Sequence, residues 1–320
     1  AGPNNVLTFN GNFNVNSSIN TNQICAHRSG SASTVTNLTV NIMGNLNITN
    51  GSFYLTRNTG IATMNWNLYG NLNMTGGVFN SSHTAALFHF AKSGSQTYTK
   101  TAGTLTAANI VIDSLSTVDA GTSAFDGTAT INIKSGATLV TAHATNAIST
   151  TGTKTLSAGA SYVFNGATAQ TIPSVIVAAN NLTINNTSGV TLGAATAVTG
   201  TLTLSSGKLS LGNNTLTLSN AVSGSSSSNY IVTGGTGLLK FLSVGSTAVT
   251  YPIGNTSSNY TPISLTNNGT TSDIGVSASS TITNAILNPA KALALQWTVN
   301  SSVASSNVNA TFNWNAGDQG

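Results

Sequence analysis

The sequence predicts an all-β protein: a right-handed parallel β-helix (β-solenoid) over residues 1–245, followed by an antiparallel β-sandwich over 246–320. Three observations carry that expectation. Apolar side chains alternate with Thr or Asn at i and i+2, the period of a strand. The alternation is rewritten at steps of 20 to 26 residues, as in a stacked array. Gly with Ser or Asn separates the short runs, and these residues tolerate the positive φ of tight turns.

The elements follow in chain order. "GNFNVNSSIN" at 11–20 is echoed by "GNLNITNGSFY" at 44–54 and by "GNLNMTGGVFN" at 70–80. Gly44-Asn45-Leu46-Asn47 returns 26 residues later as Gly70-Asn71-Leu72-Asn73, and after another 26 as Gln96-Thr97-Tyr98-Thr99, with Gly77 matched by Gly103. Ile110, Ile112 and Val118 return as Ile131, Ile133 and Leu139, a step of 21. Leu182 and Ile184 return as Leu202 and Leu204, a step of 20, and the pattern recurs sooner at Leu216 and Leu218. In "TLTLSSGKLSLGNNTLTLS" the six leucines from Leu202 to Leu218 point inward, and Thr201, Thr203, Thr215 and Thr217 point outward. The one weak helical pattern, "AILNPAKALAL", is interrupted by Pro289, so helix content is very small.

A sandwich or meander also suits closely spaced short strands, but it gives no reason for one strand to resemble the next. In a solenoid each coil buries the apolar face of its neighbour. Outward Asn and Thr then meet their equivalents about 4.8 Å away, and neutral amides stack there without like-charge repulsion. The right hand follows from the general handedness of parallel crossovers. From about residue 246 the strands lengthen and cease to resemble one another. Pro252 and Pro262 punctuate them, and Trp297 and Trp314 are expected in the core of the sandwich. The end at "NWNAGDQG", just after a strand, suggests part of a longer polypeptide.

Composition narrows the function. Only 4% of the 320 residues are charged, against about 25% in an ordinary soluble domain. There is no Glu, and the acids are Asp113, Asp119, Asp126, Asp273 and Asp318. The net charge of +4 rests on nine cations spread singly from Arg28 to Lys291, so nucleic-acid binding has no electrostatic basis. No apolar run approaches the twenty or so residues a membrane-spanning helix needs. A start at Ala1-Gly2 suggests a removed signal peptide, and the lone Cys25 excludes an intrachain disulfide.

The wording from residue 155 onward, "TLSAGASYVFNGATAQTIPSVIVAANNLTINNTSGVTLGAATAVTGTLTLSSGKLSLGNNTLTLS", resembles the large β-helical surface and secreted proteins of Bacteroidota that leave by the type IX secretion route. "YIVTGGTGLLKFL", "VTYPIGNTSSNYTPISLTNNGTT" and the "GNLNMTGGVFN" repeats extend the resemblance over nearly the whole chain. It implies an adhesin, surface-layer or filament component that is handled by the type IX export machinery and carries a C-terminal sorting domain not evident here. It also implies O-glycosylation of Ser or Thr in Asp-Ser/Thr-aliphatic sequences. Asp113-Ser114-Leu115 fits, which makes Ser114 a candidate; the plainer reading is a turn closing the "NIVID" strand.

Catalytic and metal chemistry have little to stand on. Polysaccharide-cleaving β-helices need clustered carboxylates, often with Ca²⁺, and the only local acids are Asp113, Asp119 and Asp126. The 21-residue step sets Lys134 beside Asp113, as a surface ion pair. His27, His83, His89 and His143 show no metal-ligand spacing and read as surface or turn residues. Cys25 beside His27 and Arg28 lacks an acyl-enzyme motif. No cofactor motif is present.

Binding is the richer class. The pairs Thr97/Thr99, Thr201/Thr203 and Thr215/Thr217 suggest a flat ice-matching face, or simply good β-formers on a solvated strand. Tyr54 and Tyr69 are candidates for stacking on sugars. The expectation is a non-enzymatic, exported cell-surface protein that serves as adhesin, stalk or filament subunit. Its partners are further copies, other surface proteins or surface glycans. A carbohydrate-binding or carbohydrate-active β-helix is the alternative, with ice binding a minor one.

Overall fold

The computed structural model describes residues 5–17, 23–25, 37–57, 63–283, 292–304 and 306–319. The protein is all-β, a parallel β-solenoid of about ten turns over 37–254 followed by a small C-terminal region of mixed and antiparallel sheet. It divides into two compact units, Ala1–Tyr162 and Val163–Gly320.

In the first unit one sheet runs in the order Asn5–Phe9, Asn37–Ile42, Thr63–Leu68, Ala86–Phe90, Asn109–Ile112, Thr130–Ile133 and Lys154–Leu156. Every neighbouring pair is parallel. A second parallel sheet follows the repeats read from the sequence. Phe13, Leu46, Leu72 and Tyr98 stand side by side in successive strands, and Val118 stands beside Leu139. The 26- and 21-residue steps are therefore coil lengths.

Inward positions carry more than leucine. Phe53, Trp66, Phe79, Phe88, Phe90, Tyr98 and Phe125 are buried and meet mostly edge to face, with centroids 4.5 to 6.4 Å apart, so an aromatic chain threads the interior. Such pairs add about 0.5–1.5 kcal/mol each beyond area burial. The Trp66 indole N–H donates to the Leu55 carbonyl at 2.9 Å, satisfying its one polar group. The first sheet's last strand puts Lys154 in register with the buried Ile131 and Leu156 in register with the buried Ile133. A charged side chain there discourages a further apolar neighbour, a common device for ending a sheet.

In the second unit the coils are built from short strands on three sheets, the third of which ends at Leu202–Ser206. Leu202–Ser206, Leu209–Ser210 and Leu216–Leu218 are successive sides of one coil, and Leu202, Leu204, Leu209, Leu211, Leu216 and Leu218 are all buried as expected. Leu202 pairs with Leu182, Leu209 with Val190 and Ile231, and Leu216 with Thr196 and Leu239. The return at Leu216 and Leu218 is thus the third side of a coil already begun, not a shorter repeat. A Leu-x-Leu strand looks alike on any side.

Parallel pairing continues to Ile231 with Ile253. Leu239–Val244 has a parallel neighbour on one side and the antiparallel Ser272–Ser279 on the other, which in turn pairs with Gln296–Ser301. Val249–Tyr251, Ile263–Asn267 and Val308–Phe312 make a separate antiparallel sheet. The backbone edge of the last coil is thereby covered. Trp314 is 45% exposed, contrary to the expectation that it sits in a core. Trp297 is half-buried, its indole N–H donating to the Thr261 carbonyl at 3.1 Å and its ring 5.0 Å from Phe312. "AILNPAKALAL" lies for the most part outside the described residues.

Candidate functional site

The Gly-Asn doublets explain themselves at the corner they form. A Cβ at Gly70 would lie 2.1 Å from the Gly44 carbonyl oxygen, and one at Gly44 would lie 2.5 Å from the Gly11 carbonyl carbon. Only Gly lets the stacked corners approach so closely. The neighbouring asparagine closes the stack: Asn12 Oδ1 accepts from the Asn45 backbone N–H at 2.9 Å, Asn45 Oδ1 from Asn71 at 2.8 Å, and Asn71 Oδ1 from Thr97 at 2.8 Å. Where the third repeat replaces Gly with Gln96, the buried amide donates to the Leu68 and Gly70 carbonyls at 2.9 and 2.5 Å.

Outward faces carry ladders of the same kind. Asn73 Nδ2 donates to Asn47 Oδ1 at 2.8 Å, and Asn47 Nδ2 to Asn14 Oδ1 at 2.7 Å. On the first sheet Asn67 donates to Asn41 at 3.0 Å. These amides bind coil to coil.

On that sheet the next residue in the Asn41–Asn67 column is His89. It is 9% exposed, so it belongs neither to the surface nor to a turn. Its Nδ1 donates to the Asp113 carboxylate, 3.0 and 3.1 Å from the two oxygens, and its Nε2 lies 3.3 Å from Asn65 Oδ1. Lys134 Nζ donates to Asp113 Oδ1 at 2.6 Å, so the pair expected from the 21-residue step forms. Asn65, His89, Asp113 and Lys134 draw a diagonal polar line across four coils. Burial alone would raise the Asp113 pKa, but hydrogen bonds from His89 and Lys134, with their charges, outweigh it and hold the carboxyl below its usual range.

The other acids are engaged separately. Asp126 pairs with Lys100 at 2.9 Å, and Asp119 Oδ1 accepts from the Gly121 N–H at 2.9 Å within a turn. Among the described residues no three His, Cys, Asp or Glu side chains form a metal-holding group. His83 and His143 are turn residues, their Nδ1 atoms accepting from backbone N–H groups of Ala85, Thr145 and Asn146. His27 and Arg28 lie outside the described residues, and only the backbone of Cys25 is described.

Beside the diagonal, the first sheet's outer face is hollow. All four residues of Asn109–Ile112 are buried, although Val111 holds an outward position between His89 and Asn132. The depression, about 290 Å³, has Leu87 and Val111 in its floor and Thr130, Asn132, Thr153 and Thr155 around it. Asn109 is spent on structure, donating to the His83 and Ala86 carbonyls and accepting from Thr130. Period-2 alternation gives no warning of this hollow, which depends on how the sheet curves.

Ser114 is exposed at a turn, next to Leu115 with φ +68° and 71% exposure, and its hydroxyl donates to the Ser135 carbonyl at 2.7 Å. Tyr54 and Tyr69 are half-buried, with the Arg57 guanidinium 5.3 Å from the Tyr54 ring centre. Thr203 and Thr217 lie on different sheets, and Thr99 stacks on Asn73, so the Thr-x-Thr pairs do not build one face. Comparison with family models, curated proteins and solved structures finds no match.

Proposed function

We propose that the chain is a non-enzymatic, exported cell-surface structural protein: an adhesin, stalk or filament subunit. One observation carries this reading. Outward Asn side chains and the Lys100–Asp126 and Lys134–Asp113 pairs are already used to bind coil to coil, as in Asn14–Asn47–Asn73 and Asn65–His89–Asp113–Lys134. What is left outside is a neutral, hydroxyl- and amide-bearing surface suited to repeated weak contact, where multivalency supplies the strength. The likeness to type IX cargo proteins of Bacteroidota supports export and surface display, with further copies, other surface proteins or surface glycans as partners. Ser114, exposed in an Asp-Ser-Leu turn, supports the O-glycosylation reading, and mass spectrometry of material from the native host checks it.

The test is electron microscopy of the purified protein together with immunolabelling of cells that produce it. Assemblies or surface-bound label are expected. Dispersed monomers with no cell association overturn the proposal. A second reading, a carbohydrate-binding or carbohydrate-active β-helix, is favoured by the hollow over Asn109–Ile112, an apolar floor within a hydroxyl and amide rim. Release of reducing ends from polysaccharides would mark an enzyme, and retention without cleavage a binder. Ice binding has less support, because the Thr pairs are divided among sheets.

A further inference from the structure

A second groove, in the second unit, differs from the first in holding a cation. It has a volume of about 340 Å³, and Thr187, Ser188, Thr191, Ser210 and Ser257 bring hydroxyls to it around Lys208. The register explains the hollow. Lys208 follows Ala169 and Gly189 in one column, because Gln170, Val190 and Leu209 are paired in successive coils. Two small residues leave the space below the lysine open, and Gly189 holds φ +88°, which an L side chain rarely adopts. Thr171, Thr191 and Ser210 form the adjoining outward column, a row of hydroxyls at coil spacing.

Lys208 is set apart from the other lysines by its ring contact. Lys100, Lys134 and Lys240 each pair with an aspartate, whereas Lys92, Lys154 and Lys208 enter no ion pair among the described residues, and of these three Lys208 alone stands against an aromatic ring. Its ammonium sits 5.2 Å from the ring centre of Tyr230, a buried side chain whose hydroxyl donates to the Thr256 carbonyl and whose other neighbour is Tyr260 at 5.1 Å. A fixed ring holds the ammonium at the groove without neutralising it. Resting on the carbohydrate-binding reading above, we infer that this groove takes an acidic saccharide, its carboxylate or sulfate on Lys208 and its hydroxyls on the Ser and Thr side chains. An ammonium is a point charge, so it serves either anion.

Solution titration with three probes tests this: oligogalacturonate, a sulfated dextran and neutral dextran. The acidic probes should bind and the neutral one should not, with binding weakened by added salt. Lys208→Gln should weaken binding about fivefold, the scale of one exposed ion pair. Ala169→Trp, at an exposed position, should block the groove while leaving the charge in place, and Lys92→Gln should change nothing; circular dichroism checks that each variant is folded. Equal binding by the native protein, Lys208→Gln and Ala169→Trp puts the ligand elsewhere, overturning the groove but sparing carbohydrate binding. Equal affinity for neutral dextran, unchanged in Lys208→Gln, overturns the role of charge. No binding of any saccharide overturns both. A preference between the two acidic probes identifies the anion.

Discussion

Asp113 shows how few charges the chain uses and how closely each is held. Its carboxylate accepts from His89 and Lys134, and its side chain is 23% exposed. Asn keeps one acceptor oxygen but replaces the other with a donor that faces His89 or Lys134, so Asp113→Asn should cost on the order of 1–2 kcal/mol in urea unfolding at neutral pH. The pH dependence follows from the depressed pKa. A carboxyl whose folded pKa lies below its unfolded value of about 3.9 contributes fully above that value and loses its contribution as pH falls through the folded pKa. The gap between native and Asp113→Asn stability should therefore stay level from neutral pH down to about 4 and close below it. A gap that closes already near neutrality would place the coupling on another group. Half of this cluster was legible in the sequence. Asp113 and Lys134 sit one constant 21-residue step apart, whereas His89 reaches Asp113 over 24 residues, diagonally between columns of unequal coils. No fixed period points to that contact.

At the scale of the element, the coil corner decides whether stacking is possible. Gly70 and Gly11 occupy equivalent turns but differ in what lies beneath them. A Cβ at Gly70 meets the Gly44 carbonyl at 2.1 Å, whereas nothing lies within 4 Å of one at Gly11. Gly70→Ala should lower stability by about 2–4 kcal/mol, because the obstacle is backbone and cannot rotate away. Gly11→Ala should fall within about 0.5 kcal/mol of the native protein. Thermal and urea unfolding of the two variants compare them directly, and equal effects would show that glycine serves chain flexibility here, not close approach. The same corners explain why the solenoid was readable in advance. Equivalent positions meet the same neighbours in every coil, so selection of Gly, Asn and an apolar pair is repeated at the coil length, as at 44, 70 and their Gln96 counterpart. Strand placement within a coil was not readable, because Leu202–Leu204 and Leu216–Leu218 carry one pattern on two sheets. Trp314 misled for a related reason. Size and aromaticity predict burial only where an element packs on both sides, and Val308–Phe312, with the residues after it, lies at the edge of its sheet.

Across the whole molecule, cohesion comes from apolar interiors and neutral hydrogen bonds between adjacent coils, with charge in a minor part. Four ion pairs are present among the described residues, three Lys–Asp pairs and His89–Asp113, and all are at least partly open to solvent. Pairs of this exposure contribute about 0–1 kcal/mol each and are screened by salt. The net charge of +4 over 320 residues leaves little long-range repulsion to relieve. Both effects of salt are therefore small and of opposite sign. Raising NaCl from about 0.05 to 0.5 M, which shortens the Debye length from roughly 14 to 4 Å, should move the melting temperature by less than about 3 °C. Sulfate at matched ionic strength should raise it, since exclusion of that ion from the surface strengthens apolar burial. Differential scanning calorimetry in the two salts separates the cases. A loss of 10 °C or more in NaCl alone would mean that the sparse charges, and not the neutral hydrogen bonds over a packed interior, hold the coils together.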